Sequence, residues 1–156
     1  MMVVVGVDGS AESRAALAHA LDEAVRRRCW LRVVTAFEPA LYPDIAEAEL
    51  EGEVVRRTRE IVNEVLAGHA VGAGPVPVSI VAVPGPPGVA LVRESEGTAL
   101  LVVGHRRRGA LTGVLLGSVG LYCVRAASCP VTVVPAGRPD GRILPEADHL
   151  SGAASS

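Results

Sequence analysis

Short apolar runs alternate along the chain with stretches in which apolar residues recur every three or four positions. Met2 to Asp8 (MVVVGVD) is β-branched, nearly continuous and ended by Gly-Ser, the pattern of a strand buried on both faces. Ser10 is placed to cap a helix whose apolar side is Leu17, Leu21, Ala24 and Val25, and Arg26 to Arg28 are cations suited to its C-terminus. Trp30 to Phe37 predicts a second strand, and Glu38 to Pro43, with two prolines, a loop. Residues 44–68 predict the longest helix: Val54, Thr58, Ile61 and Val65, with Val55, Val62 and Leu66, share a face opposite Arg56, Arg57, Arg59, Glu60 and Glu64, and Gly68 closes it. After a Gly/Pro linker over 69–77, Val76 to Val83 predicts a third strand whose prolines indicate a sheet edge or a late start. Pro84 to Gly88 turns into a short helix around Val89 to Glu96. Leu100 to Gly104 is a fourth, wholly apolar strand. A final helix begins near Ser118 within Gly113 to Ala127, and Pro130 to Val134 is the fifth strand.

Strands that are apolar on both faces and alternate with helices predict an α/β domain with a parallel sheet covered by helices on both sides. In open sheets of this kind a ligand sits outside the carboxyl ends of the strands, where the winding reverses. The strand ends that carry chemistry are Asp8-Gly9-Ser10 and the segment from Gly104 onward. Beyond Pro135 the composition shifts to Gly, Pro, Ser and Ala with scattered charges, so residues 1–137 are read as one domain and 138–156 as a flexible tail.

Composition narrows the function. The 156 residues suffice for one core, and 49% apolar against 21% charged residues excludes a disordered chain. Aromatics are 3%, too few for a base-stacking platform. All 15 basic residues are arginine, which removes a P-loop lysine, a Schiff-base lysine and the kinase strand lysine together. A formal charge of −2 gives no electrostatic ground for binding nucleic acid or an anionic membrane. Cys29, Cys123 and Cys129 lack any CxxC or Cys/His spacing, so neither a disulfide framework nor a zinc site is predicted, and reduced thiols fit a cytoplasmic location. The N-terminus shows no basic leader and no run of 18 apolar residues occurs, so no membrane association is expected.

The segment after the fourth strand reads GHRRRGALTGVLLGSVG from Gly104 to Gly120. Glycines let a backbone approach a ligand closely, and the unpaired N–H groups of a helix start favour anions. Gly117-Ser118 therefore has two readings: a phosphate cradle in which Ser118 caps the helix and offers its hydroxyl, or an ordinary glycine-rich turn with a serine cap. The stretch resembles the signature of the universal stress protein family: a glycine, two residues, a glycine, nine residues, then Gly-Ser or Gly-Thr. Gly104 and Gly117-Ser118 match it, and Arg107 stands where the family has its second glycine. VGVDGS at the N-terminal strand and CPVTVVP at 129–135 are similar to the same family, so the resemblance spans roughly residues 2–136.

The resemblance implies an open five-stranded parallel sheet, order 3-2-1-4-5, of the adenine nucleotide α-hydrolase-like type. It implies an adenine pocket from Val7, Asp8 and Ala36, with Gly104 and Arg106 near ribose and phosphates and Gly117, Ser118, Val119 and Gly120 holding the triphosphate. ATP, with or without Mg2+, is the implied ligand. Arg107 either closes the space that a glycine leaves for the phosphates or swings out to add a third guanidinium beside Arg106 and Arg108, and the second is the expectation. A homodimer through an edge strand at Val131 to Val134 is also implied, while the downstream protein partner is not indicated. The alternatives are an interaction module of the same fold that binds no nucleotide, marked by Arg107, and a slow ATPase or adenylyl-transferring relative. Against an enzyme stands the lack of paired acid and base groups, of lysine and of a metal-ligand cluster near the motif. Asp8 serves equally as a turn former, and His105 is expected to be exposed and neutral beside Arg106 to Arg108. Cys123 and Cys129 read as small core residues, and Arg26 to Arg28 as a solvated helix end.

Overall fold

A computed structural model of the chain describes residues 1–69, 75–105 and 117–136. Strands β1 (Met2–Gly6), β2 (Trp30–Phe37), β3 (Val78–Pro84), β4 (Leu100–His105) and β5 (Val131–Pro135) alternate with helices α1 (Ala11–Arg27), α2 (Glu47–Gly68), α3 (Pro87–Glu94) and α4 (Ser118–Ala126). The strands form one sheet in the order β3-β2-β1-β4-β5, with every pairing parallel. β1 is therefore central, and the chain winds outward from it in both directions.

Side chains of a strand point alternately to the two faces, and the apolar runs supply both. Val3, Val5, Leu31, Val33, Leu100 and Val102 pack with Ala16, Leu17, Ala20 and Leu21 of α1 and Val62 of α2. Val4, Val34, Leu101 and Val103 pack on the other side with Ala90 and Leu91 of α3 and Cys123 of α4. That division explains why the central strands β1 and β4 show no polar alternation: helices cover both of their faces. The edge strands β3 and β5 are only partly buried.

Several boundaries differ from the sequence reading, each for a local reason. β1 stops at Gly6, two residues before Asp8, because the Asp8 carboxylate is already engaged in the following turn. Pro39–Leu41 is a 3-10 turn, followed by a further turn in which Ile45 N–H donates to the Tyr42 carbonyl, so α2 starts at Glu47 rather than 44. α3 begins at Pro87, whose missing N–H costs nothing in a first turn. Arg28, not a glycine, takes the left-handed backbone that ends α1, with its N–H on the Val25 carbonyl and Cys29 N–H on that of Ala24. β4 extends through His105, which pairs in register with Pro135 of β5. His105 is consequently buried, a correction to its expected exposure. The tail at 138–156 lies outside the described residues.

Candidate functional site

The chain leaves β1 through Val7, buried and donating its N–H to the Val34 carbonyl at 2.9 Å. The turn to α1 is then closed by side chains. Asp8 Oδ1 accepts from Ser10 N–H at 3.0 Å and from Ser10 Oγ at 2.5 Å. Ser10 Oγ in turn accepts from Ser13 N–H at 3.2 Å, capping α1, and Ser13 Oγ donates to the Ser10 carbonyl and accepts from Asp8 N–H. Gly9 stands at φ +85°, a left-handed conformation that glycine adopts without a Cβ clash. Asp8 thus builds the turn and also borders the cleft.

Opposite this turn, β4 ends at Val103 and Gly104. A Cβ on Gly104 would lie 2.6 Å from the Glu12 carbonyl carbon and 2.9 Å from Ser13 N, so glycine here allows the first turn of α1 to lie directly on β4. The sequence had pointed to ligand approach; packing is an independent reason for the same residue.

The start of α4 is built differently from that of α1. Gly117 is the N-cap and, among the described residues, no side chain caps the first turn; Ser118 is the first helical residue, which corrects its expected role as the cap. The N–H groups of Ser118, Val119 and Gly120 belong to a first turn, where a helix offers no carbonyl partner, and all three residues border the cleft.

These elements enclose a cavity of about 680 Å³, within the range of small-molecule sites. Val7, Asp8, Ala36, Gly104, Gly117, Ser118, Val119 and Gly120 all line it, so each predicted residue that is described falls in one place. Arg106 and Arg107, with Arg108, lie outside the described residues. The cavity has two chemically distinct ends. Val34, Ala36, Leu91 and Val103 form an apolar floor against the sheet, while the starts of α1 and α4 provide hydroxyls and N–H groups. Gly6, Glu12, Ser13, Val34, Pro87, Leu91 and Val103 were not anticipated as lining residues. Val34 was accessible to reasoning, since it shares a strand face with Ala36, whereas Pro87 and Leu91 arrive from the α3 crossover and carry no sequence signal.

Ionisable chemistry in the cleft is sparse. Glu12 and Asp8 are the carboxylates among its described lining residues. No group of three or more His, Cys, Asp or Glu able to hold a metal occurs among the described residues. Burial, with a smaller contribution from neighbouring Cys129, pushes the Cys123 thiol up to about 11, so this fully buried sulfur stays protonated at neutral pH. Among the described residues no helix is long and apolar enough to cross a membrane.

Comparison with known proteins agrees on one family. A family model described as the universal stress protein family matches residues 1–135. A universal stress protein of Mycobacterium tuberculosis is 42% identical over 135 residues, covering 84% of this chain and 44% of that protein. The chain thus spans less than half the length of the curated relatives it matches. Among solved structures, a universal stress protein in complex with cAMP superposes with a TM-score of 0.64 at 27% identity, covering 88% of this chain and 98% of that one. A universal stress protein from Archaeoglobus fulgidus gives a TM-score of 0.65 at 21% identity over 86% and 98% of the two chains. The sheet order is that of the adenine nucleotide α-hydrolase-like fold.

Proposed function

Because the chain belongs to the universal stress protein family, we propose that it is an adenine-nucleotide-binding regulatory module rather than a catalyst. The observation that carries this reading is the start of α4. Among the described residues no side chain caps its first-turn N–H groups, and they border a cavity whose other end is apolar, a complement to a phosphate joined to a planar base. The relative solved with cAMP supports the same ligand class.

In this reading Val7, Ala36 and the floor receive the base, Asp8 and Gly104 flank the sugar, and Gly117 to Gly120 hold phosphate. Arg106 and Arg107 would add charge-assisted contacts to a triphosphate. ATP fits the donor set at α4, and Mg2+ would be shared between its phosphates and a carboxylate such as Asp8 or Glu12. The module would act in the cytoplasm as a homodimer through Val131 to Val134, residues 1–137 being sufficient to fold and to bind. The second reading, an interaction module without nucleotide, rests on Arg107 in place of the motif's glycine.

The deciding experiment releases small molecules from the purified protein by denaturation, identifies them by mass spectrometry, and titrates ATP, AMP and cAMP by calorimetry at two salt concentrations. Adenine nucleotide is expected in the released fraction, with ATP affinity falling as salt rises and with Gly117→Val, whose side chain occupies the cradle. Arg107→Gly is expected to weaken ATP. An empty released fraction, with no binding of any of the three nucleotides at millimolar concentration, would sink the proposal in favour of the second reading.

A further inference from the structure

We infer that Gly6 and Leu91 act as a pair that sets the depth of the cavity's apolar end and thereby which purines the site admits. The inference rests on the nucleotide-binding reading above and assigns selectivity within that same site.

Gly6 is the last residue of β1 and lies beside Val34 of β2 in register. Two residues earlier Val4 faces the α3 side of the sheet, so position 6 faces α3 as well. Leu91 of α3, 4% exposed, fills that space. A Cβ on Gly6 would stand 2.8 Å from Leu91 Cδ1, 3.0 Å from Cδ2 and 3.5 Å from Cγ. Leu91 therefore occupies the volume that any other residue at position 6 would claim, and both residues line the cavity. Away from the cavity Leu91 belongs to the packed cluster of Val4, Val34 and Leu101. Bulk added at position 6 must accordingly drive its methyl groups toward the cleft, and trimming Leu91 must deepen the cleft.

With phosphate at α4, the part of a purine farthest from its sugar is the six-membered ring, and that edge reaches the floor. Leu91 then accepts an unsubstituted 6-amino group and excludes a bulky one. A substituent at position 8 lies near the sugar and is indifferent to Leu91.

The test measures AMP, N6-benzyl-AMP and 8-bromo-AMP by calorimetry on the wild type, Leu91→Val, Leu91→Ala, Gly6→Ala and the Gly6→Ala/Leu91→Ala double variant, each checked for folding by circular dichroism. The wild type is expected to prefer AMP over the benzyl analogue by about tenfold or more, and Leu91→Ala to shift that ratio at least about tenfold toward the analogue, in line with the discrimination one or two methylenes give in an apolar pocket. Leu91→Val, the milder change, shifts it part of the way and decides the matter should the alanine variant unfold. Gly6→Ala weakens AMP, and the double variant recovers it because the new methyl meets empty space. The 8-bromo to AMP ratio stays constant throughout. The inference is overturned if folded Leu91 variants bind AMP with an unchanged benzyl ratio, if the wild type does not discriminate, or if the 8-bromo analogue gains equally. Absence of any adenine nucleotide binding by the wild type overturns the functional reading as well, which separates the two failures.

Discussion

Gly104→Ala is expected to destabilise the protein in the absence of any ligand. The new Cβ would lie 2.6 Å from the Glu12 carbonyl carbon, 2.7 Å from its oxygen and 2.9 Å from Ser13 N. Carbon atoms in contact prefer about 3.5 Å, so β4 and the first turn of α1 must separate by about 0.9 Å. Neither side yields freely. Gly104 is held in register with Val134 of β5, and the α1 turn is tied by the hydrogen bonds joining Asp8, Ser10 and Ser13. Overpacking of this kind costs about 1–3 kcal/mol, and a domain near this size loses about 2–4 °C of Tm for each kcal/mol, giving a fall of roughly 2–12 °C. Circular dichroism melts without ligand measure it directly, and nucleotide titration of the same variant measures the site. Were Gly104 required only for ligand approach, alanine would reduce affinity and leave the melt alone. A ligand-free Tm within about 1 °C of the wild type refutes the packing argument.

The two serines at helix starts are expected to part company: Ser10→Ala, which removes the α1 cap and a bond to Asp8, lowers stability by about 1 kcal/mol in urea titrations. Ser118→Ala, which follows an N-cap glycine and so removes no cap of its own, leaves stability unchanged and weakens nucleotide binding by about 0.5–1.5 kcal/mol in calorimetry. A hydrogen bond from Arg27, with the charges of Arg26, Arg27 and His19, holds the Glu23 carboxyl below its ordinary value against a smaller opposing effect of burial. Its folded pKa lies below its unfolded one, so the stabilisation is present at neutral pH and is lost as pH falls from the unfolded value through the folded value. Glu23→Gln should thus melt below the wild type at pH 7 and converge with it in acid. On β5 the Pro130 carbonyl accepts from Leu101, so by alternation Thr132 bonds to β4 and the Val133 amide faces outward from the sheet. Val133→Pro should then leave the fold intact and shift sedimentation from dimer to monomer; an unchanged sedimentation coefficient at tens of micromolar would remove β5 as the interface.

The strands were legible because a parallel sheet covered on both faces makes them predominantly apolar runs, and Trp30–Phe37 appears with the limits its pattern predicts. The cleft was legible in part for the same reason: glycines at 104 and 117 and the turn at Asp8 mark strand ends and a helix start whatever their use. Reading failed where a residue's neighbours in sequence differ from those in space. His105 precedes three arginines yet sits in a strand pairing with Pro135. Ser118 follows the glycine that ends the extended backbone, so the cap falls one residue earlier than side-chain chemistry suggests. Leu91 carries only the mark of a core leucine; its place under Gly6 is set by the crossover that lays α3 on the sheet.

The adjacency of β1 and β4, with Val3 to Val5 opposite Leu100 to Val102, has a further consequence. The two walls of the cleft lie nearly a hundred residues apart in the chain, and no local segment contains both Asp8 and Gly117. The cavity therefore does not exist in the unfolded ensemble or in any intermediate that has yet to seat β4 beside β1. A ligand that recognises it selects the completed sheet alone, so occupancy becomes a term in the protein's lifetime: at a hundred times its Kd such a ligand would add about 2.7 kcal/mol to the unfolding free energy. Under the nucleotide-binding reading, loss of that ligand would remove the same increment of stability and so couple the abundance of the protein to the nucleotide pool.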